Sequence, residues 1–236
     1  MLRAPDGLFA AHAPGRPVFG PAPLAEAWSF VEWRATEDLL AQERAPICLH
    51  AAGVRLGSAS VLLVGESGSG KSTLAAALFE RGHNLWGDDL VRFAPKEGVF
   101  SAFPRSLKLD NKSLSCLHLI PGLCSKAAIG TFLAPDCWYV SPAAIRRSWQ
   151  APSDRPRSVV LLESGAHRGP ARVKRTSEGA AAVLVSQRLL GRRGSADEQA
   201  RLTVQVLDAL GDAAAYRASG GDPAAIAVAL EQELAA

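Results

Sequence analysis

Long apolar runs are missing from this 236-residue chain. A membrane-spanning helix needs about 18–20 consecutive apolar residues, and the longest runs here are short ones such as SVLLV at 60–64 and LAAALF at 74–79. Cysteine is also scarce. The four, Cys48, Cys116, Cys124 and Cys137, have no CxxC spacing, which excludes a disulfide scaffold and a zinc ribbon. Only Cys116-x-His118 with Cys124 comes near a zinc spacing, and the cysteines read as buried or free thiols. No strong excess of one charge exists: 26 basic against 23 acidic residues leave +3, too little to point to nucleic acid. The opening MLRAPDGLFAAHAPGRP breaks its apolar residues with Asp, Gly and Pro before a signal-peptide core could form, so a cytoplasmic protein with no membrane partner is expected. What remains, 48% apolar and 21% charged residues, suits a globular domain that buries roughly 70% of its unfolded surface without disulfide or metal.

Residues 1–24 carry five prolines and no sustained period, so an irregular N-terminal arm is expected before a single domain over 25–236. Residues 26–43 read as partly helical, with Thr36 a candidate N-cap for EDLLAQER because two acids follow it. Residues 47–54 and 58–64, separated by RLG, read as a β-hairpin. Its second half is continuously apolar, the mark of a strand buried on both faces. A helix over 74–81 stopping at Gly82, a short strand in HNLWGDD, a strand over 158–162 and helices over 177–190, 198–210 and 223–234 complete the pattern. The expected class is α/β, a mixed sheet flanked by helices.

Residues Gly65, Glu66, Ser67, Gly68, Ser69, Gly70, Lys71 and Ser72 match G-x-x-x-x-G-K-[ST] in full, between a buried strand and a helix, with Thr73 next in line. That context is what the pattern needs. Glycines let the backbone N–H groups turn inward, and the helix N-terminus adds partial positive charge, so the loop suits the β- and γ-phosphates of ATP. Lys71 would bridge phosphate oxygens, and the Ser72 hydroxyl would ligate Mg2+. Asp88 and Asp89 follow a few residues after the helix. Adjacent carboxylates repel unless a cation lies between them or one is protonated, so they are either a metal-and-base pair or two exposed turn residues. Glu163, after SVVLL, is an alternative second acid.

The segment LHAAGVRLGSASVLLVGESGSGKSTLAAALFERGHNLWGDDLVRF at 49–93, continued by FPRSLKL at 103–109, resembles the C-terminal domain of HPr kinase/phosphorylase and its relatives. That family shares its P-loop layout with ATP-dependent phosphoenolpyruvate carboxykinase. The resemblance implies a single P-loop domain, ATP and Mg2+ as cofactors, Asp88 as the base for the acceptor hydroxyl, and Asp89 as metal ligand with Ser72. It also implies that His50 sits beside the transferred phosphate; on its own, His50 reads as a core histidine. Arg105 and Lys108 become candidate clamps on the phosphoryl group, against a reading as surface cations. The separate N-terminal domain and the basic signature segment of bacterial HPr kinases are not recognisable, so HPr is not the expected substrate. Size and layout are similar to stand-alone HPr-kinase-like enzymes that phosphorylate a serine near the C-terminus of a lasso-peptide precursor. Hexamers in the family make homo-oligomers an expectation.

Residues 144–193 hold 11 basic against 3 acidic side chains, whereas 1–143 hold 13 of each. This local excess, with Arg146, Arg147, Arg192 and Arg193 near its ends, reads either as a solvated face or as a docking face for an acidic peptide or small protein. The expected function is an ATP-dependent kinase acting on a peptide serine. The alternatives are a small-molecule kinase and a nucleotide-gated module without transfer.

Overall fold

The computed structural model describes residues 1–3, 6–12, 18–42, 47–103, 105–125, 131–134, 137–146, 149, 153–163, 169–190 and 195–234. A six-stranded mixed sheet forms the frame, in the order β15 (Arg172–Arg175), β17 (Ala214–Ser219), β14 (Ser158–Leu162), β6 (Ala59–Gly65), β5 (Ala52–Leu56), β7 (Asn84–Gly87). Strands β17, β14 and β6 are parallel. Strand β15 is antiparallel to β17, and β5 is antiparallel to both β6 and β7. Consequently β7 runs in the same direction as β6, one strand away.

Alternation across the sheet explains the apolar runs. Val61 and Leu63 of β6 and Val160 and Leu162 of β14 point into one core, whereas Leu62, Val64, Val159 and Leu161 point into another. The first core is closed by α2 (Lys71–Glu80), α8 (Pro223–Leu234) and residues of the small sheet β10 (Leu107–Asp110), β12 (Cys137–Val140) and β11 (Thr131–Ala134). The second is closed by α6 (Glu178–Gln187), α7 (Ala196–Ala209) and the sheet β13 (Ser153–Asp154), β9 (Val99–Ala102), β8 (Val91–Ala94), β4 (Ile47–Leu49), β16 (Leu189–Leu190). Helix α2 is apolar nearly all round because it is buried nearly all round. Two short helices, α3 (Asn111–Leu114) and α4 (Ile120–Ser125), come between β10 and β11 in the chain, and a third, α5 (Pro142–Ile145), follows β12. Glu80 at the end of α2 accepts from the backbone N–H groups of His118, Leu119 and Ile120 at 2.8, 2.8 and 2.6 Å, tying the 111–125 segment to α2.

Four sequence expectations change in detail. The helix expected over 177–190 ends at Gln187, and Leu189–Leu190 form β16 beside β4. The N-terminal 24 residues are not irregular throughout: β1 (Leu2–Arg3), β2 (Phe9–Ala11) and β3 (Phe19–Ala22) form an antiparallel sheet. It rests on α1 (Leu24–Gln42), with the rings of Phe19 and Phe30 stacked at 4.5 Å. Thr36 caps nothing. It lies inside α1, buried, with Oγ1 donating to the Glu32 carbonyl at 2.8 Å, the back-bond available to a mid-helix hydroxyl. The hairpin is confined to β5 and β6, while β4 breaks away at His50 and joins β8 in the second sheet.

Gly53 of β5 lies against Trp86 of β7, where an added Cβ would stand 2.7 Å from the Trp86 Cβ. Both neighbours are fully buried, so the backbone would have to part. Gly53→Ala should lower stability by about 1–3 kcal/mol, measured by urea denaturation. An unchanged midpoint would contradict this account of the packing.

Candidate functional site

Direction in the sheet brings the site together. Strand β6 ends at Gly65, and β7, one strand away and running the same way, ends at Gly87. His50 follows β4 and lies two residues before β5, which is antiparallel to both. The 65–72 loop, Asp88-Asp89 and His50 therefore lie at one end of the frame. An open cavity of about 570 Å3 lies there, within the size range of small-molecule sites.

One wall is the loop, through Ser67, Gly68, Gly70, Lys71, Ser72 and Thr73. Gly68 and Gly70 hold φ of 77° and 89°, a left-handed conformation that side chains other than Gly rarely adopt. Gly65 permits closure behind the loop, since an added Cβ would lie 2.6 Å from Ser69 Oγ and 2.8 Å from the Leu162 carbonyl. The N-cap of α2 is Gly70, with no side-chain cap, so the first N–H groups of a ten-residue helix are left for a ligand. Lys71 is buried, and its Nζ donates to the carbonyls of Gly65 and Glu66 at 3.1 and 2.9 Å. Burial holds its pKa below the ordinary lysine value, with Asp88 and Asp89 opposing.

The facing wall includes His50, Asp89 and Lys108. Asp89 takes φ of 69°, a left-handed position that Asp tolerates better than most residues. His50 Nε2 donates to Asp89 Oδ1 at 2.8 Å, and Arg105 Nη1 to Asp89 Oδ2 at 2.9 Å. The His50 hydrogen bond, then the charges of His50 and Arg105, hold the Asp89 carboxyl below its usual range against partial burial. Lys108 lies with Nζ 5.8 Å from the Tyr139 ring centre.

Asp88 lies behind this wall, 2% exposed and absent from the cavity lining. Burial pushes its pKa up to about 6, aided by the Asp89 charge and opposed by hydrogen bonds from the Ser72 hydroxyl and the Lys108 backbone and by the Lys71 charge. Its Oδ1 is buried with no hydrogen-bond partner among the described residues. An orphaned carboxylate oxygen beside the Ser72 hydroxyl is a donor set that fits a hard divalent cation.

Gly65, Glu66, Ser69 and Arg105 do not line the cavity. Arg105 is forked between Asp89 and Glu32 of α1, with Nη2 donating to Glu32 Oε2 at 2.9 Å. Glu163 does follow β14, level with the end of β6, but its carboxylate accepts from Arg217 at 2.7 Å and it does not line the cavity. Sequence reasoning missed Glu32, because helical periodicity in α1 says nothing about which arginine it meets. It also missed the cavity wall supplied by Asp110, Lys112, Ser113 and Cys116. There Thr73 Oγ1 donates to Ser113 Oγ at 2.8 Å, a contact between residues 40 apart that no local pattern signals. The Cys124 side chain of the cysteine–histidine spacing lies outside the described residues, as do Arg147, Arg192 and Arg193.

No family model matches the chain. HPr kinase/phosphorylase from Xanthomonas campestris pv. campestris (strain B100) and from Stenotrophomonas maltophilia (strain K279a) each share 47% identity over 55 residues, 23% of this chain. The match spans 17% of each relative's length. The solved structure of the Hpr(Ser) kinase/phosphatase from Coxiella burnetii covers 68% of this chain and 94% of its own, with 16% identity and a TM-score of 0.32.

An acid whose pKa rises on folding holds more protons folded than unfolded. Between the ordinary 3.8 and about 6 for Asp88, stability must therefore fall as pH rises, and the full cost stands above that window. Without metal, Asp88→Asn should stabilise the protein at pH 7.5 by an amount on the order of 2–3 kcal/mol. The gain should vanish near pH 4. Thermal melts showing no gain at pH 7.5, or one that persists undiminished at pH 4, would remove the buried-charge account.

Proposed function

We propose, for a chain that its shared segment marks as HPr-kinase-like, an Mg2+- and ATP-dependent kinase acting on a serine hydroxyl of a peptide or small protein. One observation carries this reading: the uncapped N-terminus of α2 and its glycine loop face the same cavity as a histidine-bonded aspartate. A module that only senses nucleotide has no use for the second half of that arrangement.

Ser72 and Asp88 would hold Mg2+, which when bound neutralises charge on the β- and γ-phosphates. This exchanges the two aspartate roles implied by the resemblance, because the Ser72 hydroxyl bonds Asp88 while Asp89 faces the cavity. Lys71 leaves the Gly65 and Glu66 carbonyls for phosphate oxygens, a trade of two neutral acceptors for a charged one. Asp89 orients the acceptor hydroxyl. As the oxygen–phosphorus bond to the acceptor forms and the β–γ bridge breaks to release ADP, the hydroxyl proton passes to an Asp89 carboxylate oxygen. A carboxylate held acidic by His50 and Arg105 is a weak base, and a loose transition state asks for positioning more than for early proton removal. Lys108, which lines the cavity as Lys112 does, would meet the transferred group. Arg105 acts one step back, holding Asp89, with Glu32 holding Arg105. The basic 144–193 segment supports a peptide acceptor over a free small molecule, and self-association follows the family resemblance.

Lys71→Ala should abolish Mg·ATP binding in calorimetry. Asp89→Asn should keep that binding and lose about 10²–10⁴ in turnover. Ser72→Ala should raise the Mg2+ concentration needed for half activity. Undiminished Mg·ATP affinity in Lys71→Ala would end the P-loop assignment. Asp89→Asn turning over at more than about a tenth of the normal rate would return the base role to Asp88. Transfer to small hydroxy compounds but to no serine peptide would favour a small-molecule kinase.

A further inference from the structure

The cations of the basic segment are not equivalent once placed. Arg146 donates to the Phe79 carbonyl at 3.2 Å and lies 4.8 Å from that ring's centre, and Arg155 donates to the Gly98 carbonyl at 3.1 Å. Both are structural. Arg172, Lys174 and Arg175 instead stand exposed on a single four-residue strand, β15, whose remaining residue, Val173, packs on the core with α2 and α8. Glu163, the residue after β14 and thus two strands away, accepts from Arg217 of β17.

Strand β15 is the end strand of the frame. It pairs with β17, and among the described residues nothing pairs with its other edge. Such an edge offers a row of N–H and C=O groups to any extended chain. Three cations beside it repel a second copy of the same basic edge and attract a chain of opposite charge, so one device excludes the wrong partner and selects the right one. Register fixes where that chain would lead. Arg172 is opposite Ser219, Ala218 is opposite Leu162, and Leu162 is opposite Gly65, so the Arg172 end of the edge is level with the mouth of the glycine loop.

We propose that β15 is the docking edge for an acidic peptide, which adds to the sheet as a seventh strand and delivers its serine to the cavity. This rests on the kinase reading above and names the substrate class for that site. A strand added outside β15 lies four strand spacings from β6, roughly 19 Å, or about six residues of extended chain. The acidic stretch and the phosphorylated serine should be separated by about that many residues. Main-chain pairing supplies affinity, and the cations supply selectivity.

The test uses the full chain and a fluorescein-labelled peptide alternating Glu with Thr over eight residues, read by fluorescence anisotropy. Binding should weaken by roughly tenfold in Arg172→Glu/Lys174→Glu, and should fall steeply with salt, since exposed pairs are screened over about 10 Å at 0.1 M. The same peptide N-methylated at alternate backbone positions keeps its charge and should lose binding, because it cannot complete a strand. Equal binding of the methylated peptide, undiminished binding by the double variant, or equally tight binding of a twelve-nucleotide oligo-dT would each overturn strand docking. Mg·ATP calorimetry on the same samples separates the two readings: a chain that binds the peptide but no Mg·ATP retains the docking edge and loses the kinase. If the double reversal also lost Mg·ATP, Arg172→Gln/Lys174→Gln would be judged on the same criteria, with a fall of about threefold expected.

Discussion

A strand covered on both faces can present chemistry only at its ends, and β6 is covered on both. Its side chains alternate between two cores, so the glycine loop begins where the strand runs out, at Gly65. The same constraint acts on β7, whose Leu85 and Trp86 are fully buried and whose chain then delivers Asp88 and Asp89. Had β7 run the other way, the aspartates would lie at the far end of the frame. His50 lies just ahead of the antiparallel β5 between the two strands. One sheet direction thus places glycine loop, carboxylate pair and histidine together without any dedicated scaffold.

Burial then divides the two carboxylates. Adjacent in sequence, they sit in opposite surroundings: Asp88 is enclosed with one oxygen unpartnered among the described residues, and Asp89 is half exposed and held from two sides by His50 and Arg105. Environments that push neighbouring acids apart are how one site obtains two roles. The left-handed backbone at Asp89 is the local means, turning the second carboxylate out while the first stays in. Glu32 extends this control to α1, so the N-terminal helix takes part in the site through Arg105.

Much of the frame was legible because periodicity reports burial. The continuous run at 60–64, the strand over 158–162 and the helices ending in α8 follow directly from apolar spacing. What escaped depended on contacts between distant residues. Strand β17 (AAYRAS) and strand β15 (RVKR) carry too few apolar residues to announce themselves, and β15 was legible only as charge. The Thr36 misreading arose because a hydroxyl followed by acids fits a cap as well as a mid-helix back-bond. At the site, the glycine loop, Lys71 and the aspartate pair were visible as a motif, but the pairing of Ser72 with Asp88 rather than Asp89 depends on a backbone angle, which a motif does not encode.

The central claim is that the cavity at the end of β6 transfers a phosphoryl group from ATP to a serine. Phosphorus NMR of the protein with Mg·ATP and an acidic serine peptide observes that event directly. The account predicts loss of the γ-phosphate signal, matching growth of ADP and a phosphoserine monoester resonance split by the serine methylene protons. Consumption of ATP to inorganic phosphate alone, with no monoester on any serine peptide carrying an acidic stretch, would contradict it.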